Sequence, residues 1–229
     1  MSKNRAAIVL VVVAHTDDEA LGCAGTIARH IRNGDTVFGV SMTDGVGARG
    51  TEDNDEIDRR AQASINASKI LGMEWLEGGS FPDNAMDTVA LLDVAKVIEK
   101  AKSKIKPTIV YTHSSADLNI DHRIVSQATL TAFRPQPNEV WEEIRTFEIA
   151  SATDYGHKSI TKEFNPNLYV NITETWQTKL LALKEYSMEM QQPPHSRSFE
   201  GLENLAKYRG NQVGLFYAEA FEIVRKVER

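Results

Sequence analysis

Short apolar runs alternate along this chain with longer stretches in which apolar residues recur every third or fourth position. The first run, residues 7–13 (AIVLVVV), has no polar member and reads as a strand buried on both faces of a parallel sheet. Residues 18–33 read as a helix. Leu21, Ala24, Ile27, Ala28 and Ile31 share one face, Asp17, Asp18 and Glu19 crowd the first turn, and Asn33-Gly34-Asp35 ends it. A strand at 36–42, a polar glycine-rich loop at 43–54, a helix at 55–71 stopped at Gly72 and a short strand near 73–77 follow. An amphipathic helix at 87–105 leads through Pro107 to a strand at 108–112, and a polar segment, 113–119, opens a helix at 120–132. A strand at 143–151 and helices at 173–190 and 200–208 complete the pattern.

Strands alternating with helices predict an α/β fold, a Rossmann-like and mostly parallel sheet with helices on both faces. The 229 residues suit one domain with a large core. In such sheets a ligand sits beyond the carboxyl ends of the strands. Three unusual polar segments fall there: 15–19 after the first strand, 43–50 after the second, and 113–122 after the strand at 108–112.

Composition narrows the function. The net charge of −6, with no Lys/Arg-rich run, excludes the electrostatic footprint of a nucleic-acid binder. Cys23 is the only cysteine, so no intrachain disulfide forms; it reads as a small core residue in a reducing cytoplasm. The basic start at 1–5 and the apolar run at 6–14 have the outline of a leader peptide. However, the run passes straight into His15-Thr16-Asp17-Asp18-Glu19 without a small-residue cleavage site, and it falls short of the ~20 residues that span a bilayer. No integral membrane segment is expected. Gly22-Cys23-Ala24-Gly25 lacks the dinucleotide-binding spacing, and the acidic turn before it would repel a pyrophosphate.

The chemistry concentrates in two motifs. Adjacent carboxylates repel unless a proton or cation relieves them, and His15 beside Asp17 and Asp18 is an ordinary set of zinc ligands. Helix capping accounts for one of these carboxylates but not for the pair or the histidine. The segment from His113 to Arg123 carries His113, Asp117, Asn119, Asp121 and His122. His122 can complete a metal site, and Asp121 or Asp117 can orient a histidine ring from behind. His113 reads equally as a capping histidine or a functional one.

His15-x-Asp17-Asp18-Glu19 together with Asp121-His122 resembles the PIG-L/LmbE-like deacetylases, which carry an AHPDDE motif near the N-terminus and a later DH motif. Thr43-Asp44-Gly45, Arg60 with Ala67-Leu71-Gly72, and the stretch 165–221 with its PHSRS at 194–198 extend the similarity over nearly the whole chain. The resemblance implies a single LmbE-like domain over 1–229, with 165–229 as a C-terminal extension packed on it. It implies one zinc ion per chain on His15, Asp18 and His122, and Asp17 as the base that activates water to remove an N-acetyl group from an N-acetylglucosamine-type amino sugar or conjugate. It also implies a homo-oligomer, a trimer or hexamer. Two positions depart from the family. Thr16 replaces a proline, and Asn119 stands where many members have a second histidine. An amide donates a hydrogen bond but carries no proton, so Asn119 is expected to polarise the substrate and His113 becomes the candidate proton carrier. Arg60, Asp44 and Arg49 are candidate substrate holders, each as readily a solvated or loop-shaping residue. His195 and Arg197 read as solvated loop residues. Two other readings compete: an amidase cleaving an acyl or thiol conjugate at the same zinc site, and a non-catalytic Rossmann-like binding module.

Overall fold

The computed structural model describes residues 6–43 and 54–228. Seven strands form one sheet in the order β3-β2-β1-β4-β5-β7-β6. They are β1 (Ile8–Val13), β2 (Thr36–Ser41), β3 (Glu74–Trp75), β4 (Ile109–His113), β5 (Glu143–Phe147), β6 (Leu168–Asn171) and β7 (Ala218–Lys226). The first five pair in parallel, and β7 runs antiparallel to both β5 and β6. The helices are α1 (Asp18–Arg32), α2 (Asn54–Leu71), α3 (Leu91–Ile105), α4 (Ile120–Ala132), α5 (Trp176–Glu185) and α6 (Phe199–Asn211).

The period of two in β1 divides the core. Val9, Val11 and Val13 face a layer built from α1, α2, α5 and α6, while Leu10, Val12 and Ala14 face a layer built from α3 and α4. All six are fully buried, which is why the run has no polar member. The chain leaves β1 toward β2 and β3 on one side and returns to β4 and β5 on the other. The sheet order therefore reverses between β1 and β4, and their carboxyl ends open a crevice at that point.

Some boundaries differ from the pattern-based expectation. The helix expected at 87–105 is a 3₁₀ turn (Met86–Thr88) followed by α3. The strand expected at 143–151 stops at Phe147, because the chain turns where Ile149 N donates to Thr153 Oγ1 and Ala152 N donates to Asp154 Oδ1. The helix expected at 173–190 divides into α5 and a 3₁₀ turn (Ser187–Glu189). β6 and β7 were not anticipated; β7 lies between β5 and β6 within the sheet.

Helix α1 breaks at Cys23, which has φ −148° and ψ 18°. The hydrogen bonds lost there are replaced from the C-terminal part of the chain. Lys179 Nζ donates to Leu21 O (2.8 Å) and to the Glu219 carboxylate (2.7 Å), which accepts from Gly25 N (3.0 Å), Thr26 N (2.7 Å) and Thr26 Oγ1 (2.6 Å). Glu219 thus caps the second half of α1. The first half, with Asp17 and Asp18, is left aimed into the crevice.

Candidate metal and active site

At the end of β1 the chain turns sharply, with Asp17 N and Asp18 N both donating to His15 O. The turn delivers His15, Asp17 and Asp18 to one wall of the crevice, all nearly buried. The opposite wall comes from β4 and α4. Asn119 caps α4, its Oδ1 accepting from Asp121 N (2.8 Å) and His122 N (3.4 Å), and this fixes His122 in the first turn.

The ligating groups of three residues converge between the walls. His15 Nδ1 lies 3.3 Å from Asp18 Oδ2, His122 Nε2 lies 3.3 Å from Asp18 Oδ1, and the two ring nitrogens lie 3.3 Å apart. The far nitrogen of each ring is held by carboxylates. His122 Nδ1 donates to Asp117 Oδ2 (2.9 Å), and His15 Nε2 lies 3.2 Å from Asp121 Oδ2 and 3.0 Å from Asp83 Oδ1. Those contacts hold one ring proton at the back of each histidine, so that once the second proton is lost two lone pairs face each other beside a buried carboxylate. A cation relieves that arrangement. Tetrahedral ligation with bonds of ~2.0–2.1 Å separates ligand atoms by about 3.3 Å, so the donor set fits a small divalent ion. His113–Asp117–His122 and His15–Asp83–Asp121 also cluster, but these are mainly the supporting contacts behind the two rings.

The electrostatics follow the geometry. Burial opposes the Asp18 carboxylate, yet His122 and His113 beside it hold its pKa well below the ordinary range. Burial likewise opposes the charged form of His122, and Asp18 and Asp117 outweigh it, raising the ring to about 9. His15 is also raised, its carboxylate partners prevailing over burial. A metal ion must therefore displace protons from this site. Glu19 lies behind the turn, where burial pushes its carboxyl up to about 8 against the bond donated by Tyr186 Oη (2.7 Å).

A cavity of about 140 Å³ opens over the donor atoms, lined by His15, Asp17, Asp18, Arg60, Asp83, Asn84, Asn119, His122, Glu189 and Arg197. Asp17 Oδ1 is held by Arg60 Nη2 (3.1 Å), and Arg60 Nη1 meets Glu189 Oε1 (2.5 Å). Asn119 Nδ2 donates to Asn84 Oδ1 (3.1 Å).

The structure thus brings together His15, Asp17, Asp18, Arg60, Asn119 and His122 around one cavity, with Asp117 and Asp121 behind the two rings. His113 lies outside it, fully buried and stacked on His122 with ring centroids 4.0 Å apart, its Nε2 accepting from Ala14 N (3.0 Å). Asp44 and Arg49 lie outside the described residues. Asp83, Asn84, Glu189 and Arg197 were not picked out as site residues. Pro82-Asp83-Asn84 reads as ordinary turn chemistry and Glu189 has no motif spacing to mark it, whereas Arg197, within the PHSRS segment, reads as a solvated loop residue and the structure places it on the cavity wall.

Residues 10–133 match the family model described as PIG-L: GlcNAc-PI de-N-acetylase. The chain is 31% identical to YaiS, an uncharacterized deacetylase of Escherichia coli strain K12, over 81% of this chain and 93% of that protein. It is 25% identical to the diacetylchitobiose deacetylase of Thermococcus kodakarensis, over 94% of this chain and 82% of that one. The fold is similar to the crystal structure of the N,N'-diacetylchitobiose deacetylase of Pyrococcus horikoshii, with a TM-score of 0.74 at 23% identity, covering 96% of this chain and 84% of the other.

Proposed function

This chain belongs to the PIG-L, GlcNAc-PI de-N-acetylase, family, and from that premise we propose that it is a metal-dependent hydrolase that removes the N-acetyl group from an N-acetylglucosamine-type amino sugar or its conjugate. The observation that carries the reading is the convergence of His15, Asp18 and His122 beside Asp17, the two ring nitrogens 3.3 Å apart and each 3.3 Å from one oxygen of the Asp18 carboxylate, with each ring backed by a carboxylate. His15, Asp18 and His122 would hold one zinc ion, which when bound supplies a Lewis acid for the amide carbonyl and acidifies a water molecule.

The remaining chemistry belongs to the chain's own side chains. Arg60 occupies Asp17 Oδ1 and leaves Oδ2 toward the cavity, where it takes the proton of the attacking water. Asp17 then returns that proton to the departing amine nitrogen, giving acetate and a free amino sugar. Asn119 has its carbonyl oxygen committed to α4 and one amide hydrogen committed to Asn84, so a second amide hydrogen can meet the acyl oxygen as charge develops on it. His113, sealed beneath His122, has no route to the amine, so proton transfer rests on Asp17. Asp44, on the resemblance, and Arg49, on its place in the glycine-rich segment after β2, remain candidate substrate holders. A cytoplasmic setting rests on the single buried cysteine. No helix among the described residues is long and apolar enough to cross a membrane.

The amidase reading shares the site and differs in the acyl group. The small, polar cavity favours acetyl. N-acetyl-, N-propionyl- and N-butyrylglucosamine, free and as conjugates, should be offered to the zinc-loaded protein and the liberated amine measured. Acetyl substrates should react fastest, and Asp17→Asn should slow them by roughly 10²–10⁴-fold, the usual worth of a general base. A preference for the longer acyl groups supports the amidase reading instead, and an undiminished Asp17→Asn rate removes Asp17 from the mechanism.

A further inference from the structure

Two guanidinium groups line the cavity, and their hydrogen-bonding states differ. Both terminal nitrogens of Arg60 are spent, on Asp17 and Glu189, and its side chain is only 5% exposed. Arg197 approaches from the other side of Asp17. Its backbone is fixed in the turn before α6, where Gln191 N donates to Arg197 O (3.2 Å) and Arg197 N donates to His195 Nδ1 (3.1 Å). Its Nε is tethered to Ser151 Oγ (2.8 Å). Its Nη1 stands 3.7 Å from Asp17 Oδ2, beyond hydrogen-bond reach, and among the described residues neither terminal nitrogen has a hydrogen-bond partner. The side chain is 21% exposed, and it lines the cavity.

We propose that Arg197 is the specificity-determining residue of this site, donating through its terminal N–H groups to hydroxyl oxygens on the sugar ring next to the acetamido-bearing carbon, while Arg60 only positions Asp17. The inference rests on the deacetylase reading and deepens it. Asp17 delivers a proton to the amide nitrogen, so the part of the substrate attached to that nitrogen must pass beside Asp17 Oδ2, where the unspent donors of Arg197 stand. A guanidinium anchored at Nε and open at its other edge is pre-organised to hold two oxygens at once. The charges favour neutral oxygens over an anion. Among the described lining residues Asp17, Asp18, Asp83 and Glu189 oppose Arg60 and Arg197, and the divalent ion brings that set to balance.

The test compares N-acetylglucosamine with N-cyclohexylacetamide, which presents the same amide on a ring without hydroxyls, in the zinc-loaded protein. Arg197→Met should raise KM for the sugar roughly ten- to hundred-fold, the worth of a hydrogen bond to a charged donor. The cyclohexyl reaction should fall by much less, because only the 3.7 Å charge contact with Asp17 is lost there. Arg197→Lys keeps the charge without the fork; it should fall between, and it serves if the methionine variant does not fold. Arg60→Lys should lower kcat for both substrates alike. An equal loss on both substrates with Arg197→Met, or no loss, overturns the proposal. If the wild-type protein releases acetate from neither substrate nor from any N-acetylglucosamine conjugate, the deacetylase reading fails, and binding of N-acetylglucosamine followed by NMR then decides on Arg197. Binding weakened tenfold or more in Arg197→Met sustains the proposal, and equal or absent binding ends it.

Discussion

Replacing Lys179 with methionine removes the cation from the break in α1. The side chain is nearly buried, as is Glu219, and methionine preserves most of the volume. Two groups lose a donor. The Glu219 carboxylate keeps Gly25 N, Thr26 N and Thr26 Oγ1, whereas Leu21 O loses the Lys179 bond that replaces its place in the helix ladder. Stripping one partner from a buried ion pair costs about 3–5 kcal/mol. The three donors left on Glu219 pull the expectation toward the lower end, and the unpaired carbonyl adds about 1 kcal/mol or more. A net loss of about 4 kcal/mol lowers Tm by roughly 8–16 °C in a chain of this size. Urea titration followed by circular dichroism, with the metal chelated, measures the loss directly. The double variant Lys179→Met/Glu219→Gln should recover part of it, because the carboxylate no longer sits unpaired. A single-variant loss below about 0.5 kcal/mol, the range of ordinary surface substitutions, would refute the claim that this pair holds the break together.

Two further outcomes follow from named contacts. Asp117→Asn lets the amide donate to His122 Nδ1 and moves the ring proton to Nε2, so metal affinity, read by competition with a chromophoric chelator, should fall about 10–100-fold; unchanged affinity contradicts the role given to Asp117. His30, in the last turn of α1, lies between Asp35, Tyr111, Arg29 and Arg145; burial, aided by the two arginines, lowers its pKa despite Asp35. The folded state then binds fewer protons than the unfolded one, so this contribution is present above the ordinary histidine pKa and is lost as pH falls through it. The slope reaches at most about 1.4 kcal/mol per pH unit. Stability measured from pH 7 to 5.5 should decline more steeply in the wild type than in His30→Gln, and parallel curves refute it.

The parts of this account that could be read in the sequence are those with a local signal. The unbroken apolar run of β1 and the acidic turn after it announced both a buried strand and a functional edge. The helix period of 120–132 placed Asp121 and His122 in the first turn of α4. What stayed hidden depends on partners distant along the chain. Glu219 bonds to Gly25 across 194 positions, and nothing near either residue advertises it. β6 is only four residues long, and β7 pairs antiparallel in a chain whose earlier strands are all parallel, so the alternating strand-helix pattern gave no cue for them. Asp83 supports His15 from a turn that any Pro-Asp-Asn segment could form. Arg60 was legible as a site residue, but its ties to Asp17 and Glu189 required the fold.

Hydrolysis of an N-acetyl group at this site requires a metal ion on His15, Asp18 and His122. It is tested most directly by acetate release from N-acetylglucosamine and its conjugates, measured on one protein sample before chelation, after chelation and after zinc is returned. Release should be matched one-to-one by free amine, abolished by the chelator and restored by zinc in the wild type but not in His122→Ala. Release that survives chelation, or no release from any N-acetyl amino sugar by the zinc-loaded protein, would contradict it.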